Sequence, residues 1–140
     1  WNLALDEKNG PKIAGGADNC RGVVTINKTT QSVTREVEYY GLGHASKFIQ
    51  PGAKRIATSQ ESSVGYLNPD KSITLMVYNK KTQPQVFWIQ WQGRKVQVTL
   101  PPLSVVTLRW SSKGDDTVEV WLTTGDKKQL LAKQESLKLE

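Results

Sequence analysis

The sequence predicts a mainly β fold: an antiparallel β-sandwich carrying one α-helix. Three observations lead there. From residue 54 onward, apolar and polar residues alternate in short runs broken by turn-forming residues, the pattern of half-buried antiparallel strands. Before them, one segment (33–49) switches to a recurrence of three or four residues, with Val37, Tyr40, His44 and Phe48 on one face and Pro51-Gly52 as its stop. Finally, 140 residues suffice for a single domain with a real core, and 37% apolar with 23% charged residues is not a disordered composition.

The elements follow in order. "WNLAL" at the start is a short apolar strand candidate, and "DEKNGPKIAGGADNC" after it is a long loop rich in Gly, Asp and Asn, the kind of loop that is often functional inside a compact domain. "GVVTIN" (22–27) is β-branched and reads as a strand, and "KTTQS" as a turn. The helix 33–49 comes next. "RIAT" (55–58), "SVGYL" (63–67), "SITLMVYN" (72–79), "QVFWIQW" (85–91), "KVQVTL" (95–100) and "SVVTLRW" (104–110) are strands, punctuated by Asn68-Pro69-Asp70, Lys81-Thr82-Gln83-Pro84, Gln92-Gly93 and Pro101-Pro102. In 85–91, Phe87, Ile89 and Trp91 share the better core face, which leaves Trp88 as the more exposed ring. "SSKGDD" (111–116) reads as a linker and "TVEVWLTT" (117–124) as another strand. "KKQLLAKQ" is open between a helical turn and a strand that runs on through Leu137 and Leu139.

Composition excludes several classes. The net charge of +6 permits acidic partners, but the basic residues are scattered, and runs such as Lys80-Lys81 and Lys127-Lys128 are no more than doublets; a nucleic-acid footprint would be a denser stripe. The longest apolar runs are a few residues, far short of the ~20 that span a bilayer. No charged n-region followed by an apolar run opens the chain, so a targeting signal is expected to be absent or already removed. The one cysteine, Cys20, excludes an internal disulfide and a multi-cysteine metal site; its plain reading is a small buried apolar residue. No cofactor motif appears: no phosphate loop, dinucleotide-binding glycine pattern or EF-hand.

The residues themselves set out no catalytic constellation. His44, the single histidine, lies between Tyr40 and Phe48 on the helical face and reads as a packed, hydrogen-bonded residue. Glycosidase chemistry needs two carboxylates facing across a cleft, roughly 5–10 Å apart. Glu36 and Glu38 point away from each other on a helix, Asp115 and Asp116 fall in the linker, and Asp6, Glu7 and Asp18 are loop acids able to line a cleft. Five Trp are present. A flat Trp ring on a sandwich can stack on a sugar, whose axial C–H groups meet the π-face, or serve as a large core residue. Trp88 is the candidate for stacking.

Two stretches are more specific. "WNLALDEKNGP" and "VEYYGLGHASKFIQPGAKRI" together resemble the end of a glycoside hydrolase family 30 enzyme of the glucosylceramidase-like kind. There the last barrel strand carries Trp-Asn-Leu-Ala-Leu and a Gly-Pro loop, and the last barrel helix carries Tyr-Tyr, Leu-Gly-His-Phe-Ser-Lys-Phe, then Pro-Gly and an Arg-Ile strand. Ala45 stands where the family has Phe. "DNCRGVVTIN" is similar to bacterial members. The resemblance covers about residues 1–110, and the tail 117–140 resembles the family's N-terminal segment, as in a circular permutation or a fragment.

The resemblance implies the last strand, loop and helix of a (β/α)₈ barrel over 1–52 and a β-sandwich domain over 53–140. It implies a retaining β-glycosidase as the parent, acting on a β-linked glycan or glycoside in a secreted or periplasmic setting. The two catalytic glutamates of the family lie upstream of its last barrel strand, so this chain is expected to hold no catalytic residue and to be inactive alone. Trp1 matches the ring that lines the sugar subsite, and Asp18 and Asn19 border the cleft, at the strand ends where barrel active sites sit. A barrel strand and helix without their neighbours would expose an edge and an apolar face, so a complementary barrel segment is the expected partner. The alternative is a carbohydrate-binding module using Trp88.

Overall fold

The computed structural model describes residues 2–16, 19–112 and 118–124, together with the backbone of 127–133. The chain divides into two compact units, Trp1–Leu42 and Gly43–Glu140.

In the first unit, β1 (Ala4–Asp6), β2 (Val24–Ile26) and β3 (Val33–Arg35) form a three-stranded sheet in that order. β1 and β2 run parallel, while β2 and β3 are an antiparallel hairpin. The "KTTQS" turn is set by Asn27, whose side-chain oxygen accepts hydrogen bonds from the N–H groups of Thr29 (3.0 Å) and Thr30 (2.8 Å), the Asx-turn chemistry that favours Asn at such positions. Gly22 enters β2 so close to β1 that a Cβ there would lie 2.7 Å from the Val24 carbonyl oxygen and 2.9 Å from the Leu5 nitrogen. Only glycine fits that approach.

The helix α1 is Val37–Ser46, shorter than the expected 33–49. Val33 and Thr34 are β-branched and pair with Ile26 and Thr25 instead of winding. Glu36 carries the pairing one residue further, its N–H donating to the Val23 carbonyl at 3.0 Å. At the other end, the Ile49 N–H closes back on the Ala45 carbonyl at 2.9 Å, and Pro51 restricts what precedes it. The expected apolar face is partial: His44 and Phe48 are buried, Tyr40 is half-buried and Val37 is exposed.

The second unit is the sandwich. Its larger sheet has six strands in the order β11-β10-β9-β6-β5-β4, comprising β4 (Lys54–Ile56), β5 (Ser63–Leu67), β6 (Ser72–Asn79), β9 (Ser104–Ser111), β10 (Val118–Thr124) and β11 (Lys127–Lys133). Every pairing in it is antiparallel. The open reading of "KKQLLAKQ" resolves as a strand; Leu137 and Leu139 lie outside the described residues. Facing this sheet is a two-stranded ribbon of β7 (Gln85–Trp91) and β8 (Arg94–Leu100). Gln92 and Gly93 join its strands with φ of 48° and 81°, the positive pair that a type I′ hairpin turn requires.

The core lies between the two layers. Ile73 and Val77 of β6, Val106, Leu108 and Trp110 of β9, Val118 of β10 and Leu100 of β8 form the buried cluster, with Phe87, Ile89 and Trp91 packed on it. Of the even-numbered residues of β6, which point the other way, Ser72 and Thr74 are buried, Met76 is half-buried and Tyr78 is exposed. Thr74 and Thr107 have no solvent exposure, because His44 and Phe48 cover that face: Phe48 packs on Trp121 at 5.2 Å between ring centres. The large sheet is therefore covered on both sides around Thr74 of β6 and Thr107 of β9.

Candidate functional site

Within the sandwich unit, the chemistry-bearing groups are mostly structural. His44 is 1% exposed. Its two ring nitrogens lie 2.7 Å from the Thr107 hydroxyl and 2.9 Å from the Thr123 hydroxyl. A neutral ring satisfies both, donating from one nitrogen and accepting at the other. Burial lowers its pKa below the usual histidine value, because desolvation penalises the imidazolium. Asn68, punctuation in the sequence, is a buried hub: its amide donates to the Phe48 carbonyl at 2.9 Å and its side-chain oxygen accepts from the Gln50 N–H at 3.0 Å. Beside it, Asp70 accepts from the Ser72 hydroxyl and N–H, from Gln50 and from Arg109; these bonds, the Ser72 hydroxyl first, hold its carboxyl far below the usual range.

In the first unit, Asp6 is buried and pinned. Its carboxylate accepts from the N–H groups of Lys8 (2.9 Å) and Gly10 (2.6 Å) and pairs with the Lys28 ammonium. Lys28 above all, with the Gly10 N–H, lowers its pKa to about 2. Gly10 has to be glycine here, since a Cβ would lie 2.8 Å from the Asp6 carboxylate.

The same unit holds a broad depression of about 940 Å³ lined by Asn2, Leu3, Asn19, Arg21, Glu38 and Leu42 among others. Asn19, expected from the resemblance to border a cleft, lines this depression with the Arg21–Glu38 ion pair, in which the Arg21 Nε donates to Glu38 at 3.2 Å. Its partners in the expectation, Trp1 and Asp18, lie outside the described residues. Cys20 also lines this depression and is exposed, which corrects the buried reading; a loop rich in Gly, Asp and Asn supplies no apolar layer to cover it. Arg21 was not singled out by the sequence, and only its charge beside an expected cleft loop could have marked it.

Trp88 stands apart, on the outer face of the ribbon, and is 67% exposed. It also borders a groove of about 360 Å³ whose rim carries Thr58, Gln60 and Gln90 and whose floor includes Leu75, Phe87 and Ile89. Every described carboxylate with a resolved shift (Asp6, Glu7, Glu38 and Asp70) is moved downward and stays ionised at neutral pH, the opposite of what a general acid needs. Among the described residues no group of three or more His, Cys, Asp or Glu could hold a metal ion, and no helix is long and apolar enough to cross a membrane.

The fold defines a β-sandwich module. Residues 52–108 match the family model described as the glycosyl hydrolase family 30 beta sandwich domain, and the chain carries that domain. It is 28% identical over 120 residues to putative glucosylceramidase 3 of Caenorhabditis elegans, a match that takes in 81% of this chain and 23% of the relative. Over 88 residues it is 34% identical to the lysosomal acid glucosylceramidase of Mus musculus, covering 59% of this chain and 17% of the relative. Among solved structures, SrfJ from Salmonella typhimurium superposes with a TM-score of 0.74 at 30% identity, covering 79% of this chain and 25% of that one. The endo-β1,6-glucanase BT3312 does so with a TM-score of 0.70 at 29% identity, over 79% and 26%. The chain thus spans about a fifth of the length of the curated relatives it matches.

Proposed function

We propose that the chain serves as the non-catalytic β-sandwich portion of a retaining β-glycosidase, bracing a barrel that hydrolyses a β-linked glycan or glycoside. One observation carries the reading: the family 30 sandwich match falls on 52–108, within a chain that corresponds to about a quarter of the endo-β1,6-glucanase it superposes on. The catalytic carboxylates of such an enzyme would then come from elsewhere. The downward-shifted carboxylates of this chain support that division of labour.

The expected partner is a complementary barrel segment. Leu3 and Leu42, both well exposed in the first unit, are apolar groups that such a segment would cover. A secreted or periplasmic location goes with the same reading. The test is direct: the purified chain is assayed on nitrophenyl β-glycosides alone and after co-expression with the barrel segment. No turnover alone and co-elution with the segment are expected; turnover that co-purifies with the chain by itself overturns the proposal.

A second reading, a carbohydrate-binding surface, is favoured by the exposure of Trp88. Stacking on a sugar face needs an aromatic ring open to solvent on a rigid element, and β7 supplies one.

A further inference from the structure

We infer that the outer face of the β7–β8 ribbon binds a β-linked glycan bearing carboxylate groups, with Trp88 as the stacking ring and Lys95 as the carboxylate partner. The inference rests on the second reading above and narrows it to a ligand class.

The face is built by strand alternation. Val86, Trp88 and Gln90 of β7 and Lys95, Gln97 and Thr99 of β8 all point outward and all are exposed, while the alternate residues pack inward on the core. The register places Gln97 directly opposite Trp88, Thr99 opposite Val86 and Lys95 opposite Gln90. Opposed side chains on one face stand about 5 Å apart at Cβ and diagonal ones about 7–8 Å. One broad ring is therefore surrounded by two amides, a hydroxyl and an ammonium on one face of a two-stranded ribbon.

Those neighbours choose the ligand. A lipid surface would be met by a continuous apolar patch, whereas here the ring has only Val86 as an apolar companion on its face. Amides and hydroxyls at this spacing suit the equatorial hydroxyls of a pyranose stacked on Trp88, which keep their hydrogen bonds while the C–H face meets the ring. Charge selects further. From Lys71 to Gly114 the chain contains no Asp or Glu, while Lys95 stands exposed on the outer face and Lys80 and Lys81 precede β7. A ligand on this face meets the Lys95 ammonium and no opposing carboxylate of that stretch, so a uronate group gains a charge-assisted contact.

The experiment titrates the full chain with soluble β-1,4-glucan oligosaccharides, with the same oligosaccharides oxidised to carboxylates at C6, and with vesicles containing anionic lipid, following Trp fluorescence and calorimetry. The oxidised ligand should bind about five- to tenfold more tightly than its parent, with an affinity that falls as salt rises. Trp88→Ala should weaken both ligands about tenfold, the loss expected of a stacking contact, with an unchanged melting temperature because the ring is exposed. Lys95→Gln should remove most of the preference for the oxidised ligand and leave the neutral one bound. Equal binding of the two oligosaccharides overturns the carboxylate preference but leaves the sugar-binding reading standing. Absence of binding, or binding indifferent to Trp88→Ala, overturns both, and binding to vesicles alone reassigns the ribbon to a lipid surface.

Discussion

His44 shows how one residue can look catalytic by type and be structural by position. Both ring nitrogens are taken by threonine hydroxyls from different strands, so the ring joins β9 to β10 beneath the helix. Its lowered pKa has a consequence of definite sign. The folded state prefers the neutral ring, whereas the unfolded chain titrates near the usual value of about 6.5. Stability is then full above that value and falls as pH drops below it toward the folded pKa. The urea midpoint should decline between pH 7.5 and 5.5, and the decline should be absent in His44→Gln. Asp6 acts in a separate window: with its pKa lowered to about 2, its contribution is present above about pH 4 and is lost as pH falls from there toward 2. A midpoint that is flat between pH 7.5 and 5.5 in the parent protein would contradict the account of His44.

At the scale of elements, strand periodicity was the most readable signal. The spans of β5, β6 and β7 agree with the alternating runs residue for residue, because each is bounded by turn chemistry that leaves no alternative. Trp88 and its inward neighbours followed from alternation alone. The misreadings have physical causes. Val33–Arg35 became a strand because β2 offered it hydrogen bonds that a first helical turn does not. The burial of Thr74 and Thr107 was invisible, since alternation marks polar residues as outward and cannot announce a helix that covers them. The depression of the first unit was less readable than the fold: Asn19 was singled out only through a family resemblance, and Arg21, which lines the same depression, carries no pattern of its own. Gly22 gives a test of the first unit. In Gly22→Ala the new methyl collides with backbone atoms of β1 and β2, and neither strand can yield without breaking pairings. A loss of about 1–3 kcal/mol, read as a lower urea midpoint at unchanged slope, is expected; wild-type stability would show that the strands are not so close.

At the scale of the whole molecule, chemistry is distributed unevenly. Asp6, Glu7 and Glu38 in the first unit and Asp70 beside Asn68 are held ionised by donors. The two ribbon strands carry Arg94 and Lys95 and no acid. Bracing on one surface and glycan capture on another are compatible duties for such a module, because they draw on different residues.

The double covering around Thr74 of β6 and Thr107 of β9 sets a hierarchy in time. A backbone amide exchanges its hydrogen with solvent only when the segment around it opens, and strands screened on both faces open last. In deuterium exchange, the amides of Ile73–Val77 and Val106–Trp110 should retain their protons longest, outlasting those of the β7–β8 ribbon, which has water along one face. The centre of the large sheet would then be the slow clock of the sandwich, and the ribbon that bears Trp88 would breathe against it.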